Sequence, residues 1–171
     1  CGNTVYAIGG WRMEGEADSV WHDTYLTLDL TQSDATWQSH LQPFKRRALA
    51  VQTIGSKVYA IGGMTDEDKT TSAVSVLDTT TGKWSEGASL PAEKIGGFGF
   101  AAIAHEGRLF CSGVTGELLE LRGGTWLAVA KLAHPRYFHR LLSGGTGKLI
   151  AIGGESREGV KAPPEVISLP A

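Results

Sequence analysis

Val58-Tyr59-Ala60-Ile61-Gly62-Gly63 is the stretch on which the reading of this chain turns. A near copy stands earlier as Val5-Tyr6-Ala7-Ile8-Gly9-Gly10, and another late as Leu149-Ile150-Ala151-Ile152-Gly153-Gly154. A decayed copy, Leu109-Phe110-Cys111-Ser112-Gly113-Val114, lies between them. The first glycines of the four copies are 53, 51 and 40 residues apart. After each copy comes a second strand-like run with its own leucine: Leu28, Leu77, Leu121 and Leu169. A lone tryptophan then follows in three of the units, as Trp37, Trp84 and Trp126. Landmarks recurring in one order mark a repeat architecture.

Each complete unit also has a strand ahead of its glycines. Ala48–Ile54 runs through Gly55-Ser56-Lys57 into the Val58 stretch, two apolar runs about a glycine turn, which is the pattern of a hairpin. Gly99–Ala104 with His105-Glu106-Gly107 repeats it, and Tyr137–Leu142 with the longer turn Ser143–Lys148 repeats it again. No helical period is sustained anywhere, so the chain reads as all-β. With the strands of a unit lettered A to D, the glycines end strand B and the tryptophan lies in strand D. The chain then runs B-C-D, A-B-C-D, A-B-C-D, A-B-C. The expected units are 1–42 (lacking its first strand), 47–91, 98–132 and 136–171 (lacking its last), all in one repeat region.

Composition agrees with a turn-rich soluble β protein: 171 residues, 23 of them glycine, and 42% hydrophobic without a long apolar run. A membrane-spanning helix needs about 20 consecutive apolar residues. A formal net charge of −2 gives no reason to expect nucleic acid or an anionic membrane as partner. Cys1 and Cys111 are too few for a disulfide framework and leave the redox compartment open. Cys111 fills the slot of Ala60 and reads as a small buried residue. Ser143-Gly-Gly-Thr-Gly-Lys148 hints at a phosphate loop, but Leu149 follows the lysine in place of Ser or Thr, so it reads as a hairpin turn.

Four-stranded units of this length are β-propeller blades. Tyr59-Ala-Ile-Gly62-Gly63, followed by Leu77-Asp78 and Trp84, resembles the kelch motif, and the likeness extends over the whole chain, weakest in 98–126. The resemblance implies a kelch-type β-propeller of four-stranded antiparallel blades. About 3.5 blades are present, an incomplete ring, so the remainder of the propeller is expected from residues outside this chain. Glycines at Gly9, Gly10, Gly62, Gly63, Gly113, Gly153 and Gly154 are expected where blades crowd the axis. Tyr6, Tyr59 and Phe110, with Trp37, Trp84 and Trp126, are expected to fill the wedges between blades.

In such a fold, function belongs to the rim loops and the channel mouth. The favoured expectation is a non-catalytic module that binds a protein partner across the loops 11–23, 64–72 and 155–164, with no cofactor. Kelch domains that take protein degrons use arginines and aromatics near the D–A connections. By that resemblance Arg47, Arg136 and Tyr137 are rim-binding candidates, since guanidinium forks suit carboxylates. An alternative is a metal-dependent enzyme or specifier protein. Glu14, Asp18 and His22, spaced by fours in the longest loop, resemble the Fe(II) site of plant nitrile-specifier propellers, two carboxylates and an imidazole making an open facial triad. A sugar-active propeller of the sialic acid mutarotase type is a further alternative without diagnostic residues.

Overall fold

The computed structural model describes residues 1–15, 18–95, 98–156 and 158–170. Four antiparallel sheets follow one another along the chain. The first joins Thr4–Ala7, Thr24–Asp29 and Gln38–Leu41. The second joins Ala50–Ile54, Lys57–Ile61, Val74–Asp78 and Lys83–Glu86. The third joins Ala101–His105, Arg108–Ser112, Glu117–Arg122 and Thr125–Lys131. The fourth joins Tyr137–Ser143, Lys148–Glu155 and Glu165–Ser168. Successive strands lie side by side in each sheet, as in propeller blades. Among the described residues no strand of the first sheet pairs with one of the last, and the ring is open. Among the described residues the one helical turn, Ala92–Ile95, sits in the connection into the third sheet.

Alternate residues of a strand point to opposite faces. Each sheet therefore presents a front face to the sheet after it and a back face to the sheet before. Tyr6, Ile8 and Tyr25 on the front of the first meet Val58, Leu77 and Trp84 on the back of the second. Ile61, Val74 and Val76 meet Leu109, Cys111, Leu119 and Trp126 at the next junction. Phe110 and Leu118 meet Leu141, Leu149, Ala151 and Ile167 at the last. Gln52 also crosses a junction by backbone contact, donating to the Ala102 carbonyl and accepting from the Ala104 amide, both at 2.9 Å.

The glycine pair follows from this crowding. Gly62 and Gly63 have φ of 55° and 99°. A Cβ on Gly62 would lie 2.7 Å from the Phe100 ring of the next sheet, and one on Gly63 would lie 2.5 Å from the Arg47 carbonyl oxygen. Either contact is too short for a carbon atom to occupy, so no side chain fits.

The strand-D tryptophans grade with their neighbours. Trp126 is buried and its indole N–H donates to the Ala88 carbonyl at 2.8 Å. Trp84 is half-buried, edge-on to Tyr25 and Phe44 with ring centroids 5.6 and 5.2 Å away. Trp37 is 48% exposed because its back face has no sheet behind it. Trp126→Ala is expected to cost about 3–5 kcal/mol, and Trp37→Ala no more than about 0.5 kcal/mol. Denaturant midpoints of the two variants test this, and equal losses would contradict the wedge assignment.

One buried histidine makes the stack acid-sensitive. His139, at the third junction, is fully buried and hydrogen-bonds Ser112, Nε2 to Oγ, at 2.7 Å, while its Nδ1 has no partner. Burial, with the positive charges of Arg136 and Arg140, pulls its pKa down from 6.5 to about 4. The unfolded chain therefore takes up a proton that the folded one refuses. Stability is complete above pH 6.5 and is lost as pH falls from there to about 4, by about 3 kcal/mol at roughly 1.4 kcal/mol per unit. Glu120, held down from 4.5 to about 2 chiefly by its hydrogen bonds from Arg108, adds a loss that begins near pH 4.5 and runs to about 2. His139→Gln is expected to flatten the stability curve between pH 6.5 and 4, and an unchanged slope would remove His139 as the cause.

Candidate functional site

Because strands alternate in direction, the B–C loops and the D–A connections gather on one rim. The expected loop at 11–23 is itself a hairpin, Trp11–Glu14 against Asp18–Trp21. Trp11 stands opposite Trp21 and Met13 opposite Ser19, so the indoles and the thioether share one side of the ribbon. The Arg47 guanidinium lies over both rings, 4.8 Å from the Trp11 centroid and 5.2 Å from that of Trp21. It also donates to the Asp68 carboxylate at 3.2 Å and contacts the Met64 sulfur at 3.3 Å. Each cation–π contact at such a site contributes about 0.5–1 kcal/mol. The cluster ties the hairpin to the 64–72 loop while leaving Met13 61% exposed.

Arg136 departs from expectation. It is fully buried, donating to the carbonyls of His134, Gly153 and Pro163 and pairing with Glu165 at 2.7 Å. A guanidinium so occupied cannot grip a partner at the rim. Its counterpart in the second sheet is Arg46, not Arg47: Arg46 is also buried, and donates to the Gly62 and Ala73 carbonyls at 3.1 and 2.8 Å and to the Ser75 hydroxyl at 2.8 Å. Burial lowers its pKa to about 10, which leaves it charged at neutral pH. Arg47 thus corresponds to Tyr137. The register shows it: Arg46 lies four residues before Ala50, which pairs with Ile61, and Arg136 lies four before Arg140, which pairs with the equivalent Ile152. Counting from strand A rather than from the glycines aligns the two arginines.

Tyr137 donates its hydroxyl to the Glu155 carboxylate at 2.9 Å, and that bond raises its pKa. Beside it Phe138 holds a left-handed φ of 56° and is 53% exposed, its ring edge-on to Phe98 and Tyr137 at 5.3 and 4.9 Å. A bulky residue at positive φ is an outlier whose strain the surroundings must offset. Phe138 separates two hollows. One of about 380 Å³ opens along the inner strands between Leu49, Phe100 and Arg140. The other, about 550 Å³, lies between Glu155, Lys161 and Pro164.

The hairpin brings Glu14 opposite Asp18 and leaves His22 at its base. Four residues of extended strand separate Asp18 from His22, about 13 Å at 3.3 Å each. Glu14 forms an ion pair with Arg12, and the Asp18 side chain lies outside the described residues. Among the described residues no three His, Cys, Asp or Glu side chains gather as a metal-holding group. In this register the Glu14 and Asp18 backbones face one another and His22 stands beyond the far end of the strand. The Trp11, Met13 and Trp21 cluster escaped sequence reasoning, although alternation on either side of Gly15 is a hairpin signal.

Residues 45–91 match the family model described as the Kelch motif. No curated protein matches the chain. The solved structure reported as "Structure of YjhT", a kelch-type propeller, is similar in fold with a TM-score of 0.66 at 19% sequence identity. The match covers 85% of this chain and 52% of that one, so the chain spans about half the length of its structural relative. Residues 45–91 thus carry a Kelch motif, and the chain as a whole has the fold of a kelch-type β-propeller.

Proposed function

We propose that this protein is a non-catalytic interaction module that takes a protein partner on the rim carrying the Trp11–Trp21 hairpin. The observation behind this reading is the Trp11, Trp21, Arg47 and Met13 cluster, where aromatic and thioether groups stand at the surface around an already neutralised guanidinium. Trp, Arg and Met are enriched in the energetic centres of protein interfaces. Holding Arg47 between two indoles and Asp68 fixes the cluster in advance, which lowers the ordering cost of docking. A catalytic role through Glu14, Asp18 and His22 has less support, since the hairpin separates the third group from the other two.

Met13→Glu places a charge at the exposed centre of the cluster without touching the core. Lys83→Glu, at the turn side of the second sheet, serves as the control. In quantitative affinity capture, a partner retained by wild type and Lys83→Glu but reduced at least about tenfold by Met13→Glu is expected, the size of one interface hot spot. Identical recovery by all three proteins would sink the reading.

A further inference from the structure

The rim sector around the Trp11–Trp21 hairpin spans the first junction, and both of the sheets it joins lie within this chain. The hairpin leaves the first sheet, the loop 64–72 leaves the second, and the connection 42–47 links the two. Residues 11–23 and 64–72 hold seven carboxylates against two cations. Both cations are taken: Arg12 pairs with Glu14, and Lys69 with Glu67 at 2.7 Å. The connection adds Lys45, Arg46 and Arg47, but the two arginines are spent as well. Arg46 is buried on the Gly62 and Ala73 carbonyls, and Arg47 lies over the two indoles with Asp68 against it. Lys45 is left without an ion pair among the described residues.

The carboxylates are open by contrast. The side chains of Glu14, Glu67 and Asp68 are each more than half exposed although a cation stands beside them. Asp23 and Asp66 are exposed and have no ion pair among the described residues. The Thr65 amide donates to the Lys69 carbonyl and the Asp68 amide to the Thr65 carbonyl, which sets Asp66, Glu67 and Asp68 at the tip of their loop. The bond from Arg47 to Asp68 brings that tip to the hairpin, where Met13 and Trp11 share one side of the ribbon.

We infer that the segment docking here is basic: lysine or arginine side chains flanking one apolar side chain that rests on Met13 and Trp11. It rests on the docking role proposed above for the hairpin and names the chemistry of the partner. An acidic segment finds both rim arginines already engaged, and its carboxylates would stand among like charges, which interfaces disfavour. A cationic segment is drawn in by the carboxylate excess. The apolar anchor supplies the burial, and the carboxylates around it select the sign of what flanks that anchor.

Panning a phage library of random dodecapeptides against the protein, with sequencing of the enriched pool, tests this. Wild type is expected to enrich peptides of net positive charge with an apolar or aromatic residue among their cations. Affinities of synthetic copies, read by fluorescence anisotropy, are expected to fall about tenfold with Met13→Ser, which removes the anchor without adding charge. They are expected to fall about threefold to tenfold with Asp66→Asn/Glu67→Gln, the size of two exposed ion-pair contacts. All three side chains are exposed, and matching circular dichroism and melting curves verify folding of the variants. A pool of acidic or neutral peptides whose binding is still lost with Met13→Ser would overturn the basic partner and leave the docking site standing. Peptides of any charge that bind Met13→Ser as tightly as wild type would overturn the docking site itself, and a protein that enriches no peptide would overturn both. Basic peptides indifferent to Asp66→Asn/Glu67→Gln would overturn the selection by charge.

Discussion

The corner where strand B of the second blade ends admits no side chain, and its neighbours are arranged around that fact. At Gly62 and Gly63 the backbone turns through two positive φ values, with the next blade's Phe100 on one side and the Arg47 carbonyl on the other. A bare backbone corner has carbonyls to satisfy, and the protein spends a buried arginine on them. Arg46 reaches Gly62 and Ala73, and Arg136 reaches Gly153 and Pro163. A charge removed from water is tolerable only when its donors are used. Here the glycines expose the acceptors that make this possible, so the two residue types depend on each other.

Most of the fold was legible because it is written four times. The run from Tyr59 through Gly62-Gly63, Leu77 and Trp84 specifies three strands and their order, and the copies fix the rest. Site geometry was less legible, for reasons that can be named. The pairing of Arg47 with Arg136 failed because adjacent arginines precede the second unit's strand A and only strand register tells them apart; a shift of one exchanges a buried guanidinium for a half-buried one. The spacing of Glu14, Asp18 and His22 carried no information about extended backbone, in which residues four apart stand far apart. The stacking of Arg47 on Trp11 and Trp21 joins residues from different sheets, and no local pattern announces it.

Scaffold and surface divide cleanly along the strands. Phe110, Leu118, Leu149 and their kind are consumed in the junctions, whereas the rim keeps Trp11, Met13, Tyr137 and Phe138 at the surface. Phe138 is the place where the division is under stress. Its left-handed backbone matches that of Ala48 and Gly99 at the same point of their blades, so the repeat dictates the conformation and the aromatic side chain has to accept it. The Phe98 and Tyr137 rings and the hydrogen bond from its amide to the Gly99 carbonyl, at 2.6 Å, hold it there.

The hydrogen bonds of Arg46 all end within its own blade, on Ala60, Gly62, Ala73 and Ser75, and those of Arg136 end on His134, Gly153, Pro163 and Glu165. A unit whose inner charge is settled at home behaves as a cassette. Duplicating it, deleting it or letting its loops drift in length orphans no ion in the unit next door.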